Sequence, residues 1–349
     1  MFFNIGQRTV GEGRPVFIIA ELSANHNQKF DLAVETIKAA KEAGADAIKL
    51  QTYTPDTITV DADNEYFQIK QGTLWDGKTL YQLYREAYTP WEWQPELKKL
   101  AEAAGLICFS SPFDRAAVDF LEDMNVPAYK IASFEITDIP LISYIASKGK
   151  PVIISTGIAT LCDIEEAVNA CKAEGNAQIA LLKCTSAYPA SPEEMNLRTI
   201  PHLAETFKTV AGLSDHTLGM SVPITSVALG AKIIEKHFIL DRGLGGPDAL
   251  FSLEPEEFKR MVEAVREAEK ALGDVSYELS ERVKRGREFS RSLFVVKNMK
   301  EGEVLTNDNV KSIRPGYGIR PKYLNDIIGK KVTRDVEKGT PLSWFLIGE

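Results

Sequence analysis

One pattern limits what this chain can fold into more than any other: short apolar segments recur along it, and most are followed by an amphipathic stretch. Eight such segments occur, at 16–22, 47–52, 107–112, 128–133, 151–157, 179–186, 209–216 and 232–238. Apolar strands that alternate with helices indicate a parallel sheet covered by helices. Eight units match a closed (β/α)₈ TIM barrel, of the α/β class, better than an open doubly wound sheet. No GxGxxG or GxxxxGK[ST] motif follows any of them, which weakens a dinucleotide or nucleotide site.

Two stretches depart from this alternation. The segment 53–106 is too long for one helix with its loops, so we expect part of it to cover one end of the barrel. The first residues, 1–15, are expected to form a hairpin, turned at Gly11–Gly13, that plugs the opposite end. The last barrel helix is predicted over 256–272, and its apolar face is expected to comprise Phe258, Met261, Val262, Val265 and Leu272.

A change in composition divides the chain after this helix. We expect a catalytic barrel domain over 1–275, a polar linker over 276–290 and a small β-rich domain over 291–349. Residues 276–349 carry 15 Lys+Arg and 10 Asp+Glu, a net charge of +5, so the rest of the −8 chain carries −13. The basic residues alternate with acidic ones, so we expect no nucleic-acid partner. A solvated surface and positive charge brought to an anionic small molecule both stay open.

Composition excludes several other classes of protein. Hydrophobic residues make up 44% and charged residues 26%, which is typical of a soluble globular chain rather than a disordered or fibrous one. No apolar run is long enough to span a membrane, and the first residues do not resemble a signal peptide. The four cysteines form no CxxC pair, so we expect reduced thiols in a cytoplasmic protein without a membrane partner.

Chemistry in a parallel barrel belongs at the carboxyl ends of the strands. Polar side chains follow or end each of the eight predicted strands, and their convergence on one mouth is more informative than any one of them. They are Glu21, Asn25, His26, Lys49, Gln51, Ser110, Ser111, Lys130, Ser133, Glu135, Ser155, Thr156, Lys183, Thr185, Ser186, Tyr188, Ser214, Asp215, His216, Glu235 and His237.

These residue types permit three kinds of chemistry. Lysines and serine hydroxyls together can bind a phosphate, which needs several donors around its oxygens. A lysine on a barrel strand can also be a Schiff-base nucleophile, as in class I aldolases, and Lys49, Lys130 and Lys183 are candidates. Two histidines on adjacent strands, His216 and His237, can ligate a divalent metal. The residues alone leave these three alternatives open.

Nine short sequence motifs resemble those of a known protein family. The strings AELSANHN, IKLQT, SSPFD, YKIAS, STG, KCTSAYP, GLSDHT, EKHF and GGPDALFSLEP resemble the sialic acid synthase family. The tail, with RSL and KSIRPGYGI, resembles that family's antifreeze-protein-like (SAF) domain. The resemblance implies a TIM barrel that condenses phosphoenolpyruvate with an N-acylated amino sugar. It leaves little room for a class I aldolase or for a pure carbohydrate-binding protein.

The resemblance also implies roles for matching positions. The residues that the resemblance implies for binding phosphoenolpyruvate are Lys49, Ser111, Lys130, Ser133, Ser155, Ser186 and Ser214. Those facing the sugar and the reacting carbons are Gln51, Glu135, Tyr188, Asp248 and, from the tail, Arg314. His216 and His237 are implied as ligands of a catalytic Mn²⁺ or Mg²⁺, and Glu21 as the catalytic carboxylate. The family's exchanged dimer implies a homodimer in which one chain's tail caps its partner's barrel.

The identity of the sugar depends on the segment GTLWDGKTLYQLYREAYTPWEW. This segment resembles members that act on a 2,4-diacetamido-2,4,6-trideoxy hexose of altrose type more than those that make N-acetylneuraminate or legionaminate. Its aromatic residues could pack against a deoxygenated, doubly acetamido sugar, or they could simply hold the loop on the barrel. They are Trp75, Tyr81, Tyr84, Tyr88, Trp91 and Trp93.

Overall fold

The computed structural model describes residues 1–70 and 72–349 and contains a closed barrel of eight parallel strands. The strands are β1 (Phe2–Ile5), β2 (Arg8–Gly11), β3 (Phe17–Glu21), β4 (Ala47–Thr52), β5 (Ile107–Pro112), β6 (Tyr129–Ile131), β7 (Val152–Ser155), β8 (Ile179–Cys184), β9 (Val210–Asp215), β10 (Ile233–His237), β11 (Ser292–Val295) and β12 (Val310–Ile313). The α-helices are α1 (Phe30–Glu42), α2 (Pro55–Ile58), α3 (Leu80–Ala87), α4 (Gln94–Ala103), α5 (Arg115–Asp123), α6 (Ile139–Ala146), α7 (Leu161–Ala173), α8 (Thr199–Phe207), α9 (Ser221–Ala228), α10 (Pro255–Leu272), α11 (Glu281–Gly286) and α12 (Leu324–Ile327).

The barrel consists of β3 to β10 in chain order, and it closes where β10 pairs with β3. Each of the eight apolar segments supplies one of these strands, so the TIM-barrel prediction is confirmed. The strands β3, β7, β9 and β10 are buried along their whole length. Burial on both faces explains why these strands read as continuous apolar runs, since helices cover the barrel from outside.

Short polar residues before the helices determine where they begin. Asp114 accepts a hydrogen bond from Ala117 N and caps α5, and Thr160 caps α7 through Asp163 N. The predicted apolar face of α10 is buried at Phe258, Met261, Val262 and Val265, but Leu272 is 50% exposed. The prediction was wrong for Leu272 because this last helical residue lies beyond the core.

The amino-terminal hairpin turns earlier than the sequence indicated. β1 and β2 pair antiparallel and are joined by Gly6–Gln7, so the expected turn at Gly11–Gly13 was wrong. Gly6 has a positive φ of 58°, which suits a two-residue turn. Gly11 instead lies against the backbone of the facing strand, where an added Cβ would be 2.3 Å from the Met1 carbonyl oxygen. The buried side chains of the hairpin join the barrel core and are Phe3, Ile5 and Val10.

The long segment after β4 contains the short helices α2 and α3 and then α4, which packs against α1. Parts of this segment, including Ile58 and Leu83, line a cavity at the carboxyl ends of the strands, as expected for a cover. None of the described helices is long and apolar enough to cross a membrane. The four cysteines are free thiols.

The residues Asp274–Glu349 form a second compact unit, distinct from the unit Met1–Gly273. Its core contains Leu293, Val295, Leu305 and Val332 around the antiparallel pair of β11 and β12. The stretch expected to be a linker, 276–290, is exposed throughout but includes α11 and a 3₁₀ turn at Arg287–Phe289.

Candidate active site

A cavity of about 310 Å³ opens at the carboxyl ends of the barrel strands. Twelve of the residues that the sequence assigned to a site line it: Glu21, Lys49, Gln51, Lys130, Ser133, Glu135, Ser155, Tyr188, Ser214, His216, His237 and Asp248. Ser111 and Ser186 are not among the lining residues that the structure describes. Arg314 follows β12 in the second unit. The alternation of side chains along each strand brings the lining residues together, since every second residue faces the barrel interior.

Two lysines and two glutamates form the charged centre of the cavity. Lys49 Nζ lies 2.8 Å from Glu21 Oε1 and 3.1 Å from Glu235 Oε1. Lys130 Nζ lies 3.6 Å from the same oxygen of Glu235. All four side chains are almost completely buried. The centre is therefore a preorganised set of opposite charges shielded from water, where electrostatic interactions are stronger than at a surface.

The protonation of the two lysines differs because their neighbours differ. Burial alone would lower the pKa of Lys49, but Glu21 and Glu235 beside it raise that pKa above its ordinary value. The pKa of Lys130 is lowered, chiefly by burial, and Glu235 only partly compensates. Lys49 is thus a fixed ammonium and a poor Schiff-base nucleophile. Lys183 is not among the described residues that line the cavity, which leaves Lys130 as the amine an aldolase mechanism would need.

Glu235 is a functional residue for which sequence reasoning found no role. It pairs with both lysines and accepts a hydrogen bond from Ser214 Oγ at 3.2 Å. Its second oxygen, Oε2, is buried and has no hydrogen-bond partner among the described residues. The signal was its spacing: Glu235 lies two residues before His237 on β10, so both face the same side of the strand.

Several buried serine hydroxyls near the carboxyl ends of the barrel strands have no hydrogen-bond partner among the described residues. Ser111 Oγ, Ser155 Oγ and Ser186 Oγ have no hydrogen-bond partner within the described part of the chain. Buried polar groups are normally paired, and those that are not are expected to meet a ligand or water. Ser155 lines the cavity together with Lys49 and Lys130, and an unpaired hydroxyl beside two lysines is suited to an anion that carries several oxygens.

Gly157 makes room for these hydroxyls and was also missed. Its N–H donates to Ser133 Oγ at 3.1 Å. A Cβ added at Gly157 would lie 2.1 Å from Ser186 Oγ and 2.7 Å from Ser133 Oγ. The glycine of the STG string is therefore required by close approach rather than by its backbone angles, and any side chain would displace the serines around it.

The two predicted metal ligands lie side by side. The ring centroids of His216 and His237 are 5.3 Å apart. His216 Nδ1 donates to Thr185 O at 3.1 Å. Burial alone would lower the pKa of His216, but Cys184 and the Thr185 carbonyl raise it above its ordinary value, so Nε2 is available to a cation when the ring is neutral. His237 Nε2 lies 3.3 Å from Glu21 Oε2, and Nδ1 lies 3.8 Å from Asp248 Oδ2.

This pair suits a cation that takes further ligands from water or substrate. Burial lowers the pKa of His237, which keeps the imidazole neutral and able to coordinate. His237 Nδ1 is buried without a hydrogen-bond partner in the described residues. Nowhere in 1–70 and 72–349 do three or more His, Cys, Asp or Glu side chains form a complete metal cluster. The two imidazoles alone are an incomplete donor set, so an ion held by them would take its remaining ligands from water or substrate.

The carboxylates differ in how readily they hold a proton. Burial alone would raise the pKa of Glu21, but Lys49 beside it lowers that pKa well below its usual range, so Glu21 is ionised. Burial raises the pKa of Glu135 to about 7, and its Oε2 has no partner among the described residues. One carboxylate fixed as an anion and another that exchanges a proton near neutrality can divide base and acid roles.

Aromatic side chains also line the cavity. Trp75 donates from Nε1 to Pro247 O at 3.0 Å and packs against Tyr188 with 5.5 Å between ring centroids. Among the described residues, Trp75 and Tyr84 are the two of the six loop aromatics that line the cavity. Trp91 stacks on Phe120 and holds the loop on the barrel instead. Tyr53, Phe113 and Phe251, which the sequence reasoning had not singled out, also line it.

The barrel, its buried charges and its unpaired hydroxyls define an enzyme of the TIM-barrel class. Residues 36–277 match the NeuB family, and residues 290–345 match the SAF domain. The chain belongs to the NeuB family, and the resemblance inferred from its motifs is confirmed.

Similar proteins agree with this assignment. The chain is 49% identical to a pseudaminic acid synthase of Campylobacter jejuni over 94% of its length and 96% of that protein. It is 47% identical to a pseudaminic acid synthase of Helicobacter pylori over 95% of its length and 97% of that protein. A solved structure of N-acetylneuraminic acid synthetase from Leptospira borgpetersenii matches with a TM-score of 0.73 and 32% identity, covering 82% of this chain and 95% of that one.

Proposed function

We propose that this enzyme condenses phosphoenolpyruvate with a 2,4-diacetamido-2,4,6-trideoxy hexose of altrose type and water, giving pseudaminic acid and phosphate. The observation that carries the proposal is a cavity in a NeuB-family barrel that is lined by two lysines, two histidines and Ser155, whose buried hydroxyl has no partner among the described residues. The two relatives named as pseudaminic acid synthases share nearly half of their aligned residues with this chain, whereas the N-acetylneuraminic acid synthetase shares about a third.

Phosphoenolpyruvate is assigned to the serine and lysine side of the cavity. Lys49 and Lys130 offset the charge of the phosphate and carboxylate, and the serines donate hydrogen bonds to their oxygens. These serines are Ser111, Ser133, Ser155, Ser186 and Ser214. Gly157 allows the hydroxyls of Ser133 and Ser186 to converge.

The sugar is assigned to the side of the histidines and aromatic rings. His216 and His237 would hold a divalent ion, Mn²⁺ or Mg²⁺, whose Lewis acidity would polarise the aldehyde of the open-chain sugar. Tyr188, Trp75 and Tyr84 present apolar surface to the deoxygenated carbon and the acetamido methyl groups. Gln51, Glu135 and Asp248 supply polar contacts along the chain of the sugar.

The chain's carboxylates manage charge and protons during the reaction. Carbon 3 of phosphoenolpyruvate attacks the aldehyde carbon and leaves positive charge at carbon 2, which the ionised Glu21 offsets. Water adds at carbon 2 and gives up a proton to Glu135, whose pKa of about 7 suits proton exchange near neutrality. The resulting tetrahedral hemiketal phosphate then loses phosphate by cleavage of its C–O bond. Glu135, with a pKa of about 7, can return a proton to the oxygen that leaves or to the new hydroxyl.

A panel of three sugars tests the proposed substrate. Phosphate release from phosphoenolpyruvate would be measured with the altrose-configured diacetamido sugar, with the diacetamido-dideoxymannose precursor of legionaminate, and with N-acetylmannosamine. We expect the altrose-configured compound to give the highest kcat/KM. Equal or faster turnover of N-acetylmannosamine would contradict the substrate while leaving the reaction class intact.

We also propose that the active enzyme is a cytoplasmic homodimer with exchanged tails, in which Arg314 of one chain reaches the acyl group of the sugar bound to its partner. The net charges of +5 and −13 on the two parts of the chain favour such a pairing. The free thiols support a reducing compartment.

Refolding two inactive variants together tests the exchange. Glu21→Gln disables the barrel and Arg314→Ala disables the tail, so neither parent dimer contains an intact site. About half of the dimers should be mixed, and each mixed dimer has one intact site out of its two. Activity should therefore recover to about a quarter of wild type. If each tail capped its own barrel, mixed dimers confirmed by mass would stay as inactive as the parents.

A further inference from the structure

A fully buried ion pair lies next to the two histidines but is absent from the roles described above. Lys236 Nζ lies 2.6 Å from Asp215 Oδ2, and both side chains have 0% exposure. The two residues are register partners on β10 and β9. Each immediately precedes a histidine, since His216 follows Asp215 and His237 follows Lys236.

Thr217, which follows His216 in the sequence, is hydrogen-bonded to both members of the ion pair. Asp215 Oδ1 accepts hydrogen bonds from Thr217 N at 3.0 Å and from Thr217 Oγ1 at 2.8 Å. Lys236 Nζ also donates to the carbonyl oxygen of Thr217. His216 therefore lies between Asp215 and Thr217, which are hydrogen-bonded to each other. Both of these residues are also bonded to Lys236, which directly precedes His237.

Because successive side chains of a strand point to opposite faces, Asp215 and Lys236 lie on the faces of β9 and β10 that point away from the cavity. Glu235 and His237 line the cavity, and Lys236 between them faces the other side of β10. The same holds for Ser214 and His216 around Asp215. The network joins the ends of β9 and β10 without contributing a side chain to the described lining of the cavity.

Stability alone is a weak reason for such a pair. Removing two charges from water is costly, and a buried ion pair replaced by apolar residues of similar volume is often no less stable. Apolar contacts are not directional, whereas the hydrogen bonds of this pair hold the two strand ends at a set spacing and angle. Metal coordination tolerates errors of only about 0.2 Å in donor position.

We infer that Asp215, Thr217 and Lys236 form a clamp that fixes the spacing and orientation of His216 and His237 for a divalent cation. They act through the histidines and are positioning residues. The inference rests on the metal site of the proposed function, and it adds residues that determine how well that site is formed.

The test replaces the clamp by apolar residues of similar size and measures cation binding directly. In the full-length double variant Asp215→Leu/Lys236→Met, the dissociation constant for Mn²⁺ is measured by electron paramagnetic resonance without substrates, alongside the melting temperature. We expect binding to weaken by about 10- to 100-fold, the range for residues that orient metal ligands. The change also leaves Thr217 N, Oγ1 and O without these partners, so the melting temperature is expected to fall by several degrees, and Mn²⁺ binding is measured on folded protein well below that temperature. A purely structural role for the pair would leave the Mn²⁺ affinity of the folded protein unchanged.

The matched control is the ion pair at the other end of the barrel, where Arg266 Nη2 lies 2.9 Å from Asp46 Oδ2. The variant Asp46→Leu/Arg266→Met should bind Mn²⁺ as wild type does. Unchanged Mn²⁺ affinity in the Asp215/Lys236 variant would overturn the clamp alone. A wild-type chain without a saturable Mn²⁺ site would overturn the metal proposal and the clamp together.

If the double variant does not fold, the single variant Thr217→Val provides a second test of the clamp. This change removes one hydroxyl, which donates only to Asp215, and preserves the shape of a fully buried side chain. Mn²⁺ binding is expected to weaken by roughly 3- to 10-fold, since one of several bonds of the clamp is lost. Wild-type affinity in the folded Thr217→Val protein would overturn the inference.

Discussion

The two ends of the barrel use their polar groups differently: of the buried side-chain polar atoms without a partner among the described residues, only Thr209 Oγ1 lies at the amino-terminal end, just before β9, and the others lie at the mouth. At the amino-terminal end, Asp46 accepts a hydrogen bond from Ile18 N at 2.9 Å and pairs with both Arg8 and Arg266. At the mouth, Ser155 Oγ and Glu135 Oε2 are buried without a partner in the described residues. The first end uses its polar groups to hold the fold, while the mouth keeps some of them available for ligands.

This difference has an energetic meaning. An unpaired buried polar group costs about 1–3 kcal/mol relative to a paired one, so the mouth is destabilised by the same features that prepare it for substrate. The apolar hairpin at the other end contributes buried side chains to the core, and none of its described residues lines the cavity. Changes at the mouth should therefore affect activity, and changes at the hairpin should affect folding.

The largest effect is expected at the mouth. His237→Ala should lower kcat/KM by about 10³, equivalent to roughly 4 kcal/mol of barrier, because a proposed ligand of the Lewis acid is removed. The melting temperature should hardly change. Steady-state phosphate release and calorimetry check both, and chelation of wild type should abolish turnover until Mn²⁺ is restored. Full activity in a metal-free preparation would refute the assignment.

The opposite result is expected at the hairpin. Ile5→Ala removes a side chain with 0% exposure from the barrel core and should destabilise the fold by about 2–5 kcal/mol. Activity per folded molecule should remain that of wild type, because the change lies at the far end from the cavity. Thermal unfolding and kcat/KM at a permissive temperature measure the two quantities. A reduced kcat/KM in fully folded protein would show that the ends are coupled.

A smaller effect tests whether the mouth also makes stability depend on pH. Burial lowers the pKa of His26 to about 4, and its Nδ1 accepts a hydrogen bond from Gln28 N at 3.1 Å. The unfolded chain, with a histidine pKa of about 6.5, binds the proton first, so stability falls as the pH drops from about 6.5 towards 4.

This loss is expected to amount to about 2 kcal/mol at pH 5 relative to pH 7.5. His26→Gln should be less stable than wild type at pH 7.5, and the gap should narrow by that amount at pH 5. Unfolding curves at both pH values measure it, with His202→Gln as the control because His202 is exposed. A gap that is constant with pH would contradict a neutral buried His26.

Much of the fold could be predicted because the barrel strands are buried on both faces. Such strands appear as apolar runs whatever their neighbours are, and β4 and β5 begin and end as the sequence indicated. The hairpin turn was misplaced because three glycines, Gly6, Gly11 and Gly13, have similar local sequences. Only the pairing of β1 with β2 shows which of them turns the chain.

The site could be predicted only in part, for a different reason. Lys49 and His237 were identified because charge at a strand end is conspicuous in a single sequence. The role of Glu235 depends on two lysines from other strands, and that of Gly157 on serines brought close by folding. Of the loop aromatics, Trp75 reaches the cavity and Trp91 does not line it in the described structure, and no local pattern separates them.

The seam at which the barrel closes has a consequence for how the enzyme is made. β3 is synthesised first of the barrel strands and β10 last, yet they are neighbours, and Glu21 and His237 are register partners across their junction. Long-range pairing of this kind forms late, because a large loop must close before it is stabilised. A ribosome-bound chain that lacks β10 therefore has no cavity to fill. Catalysis begins only when the ring is complete, so turnover itself reports that the last strand has been inserted.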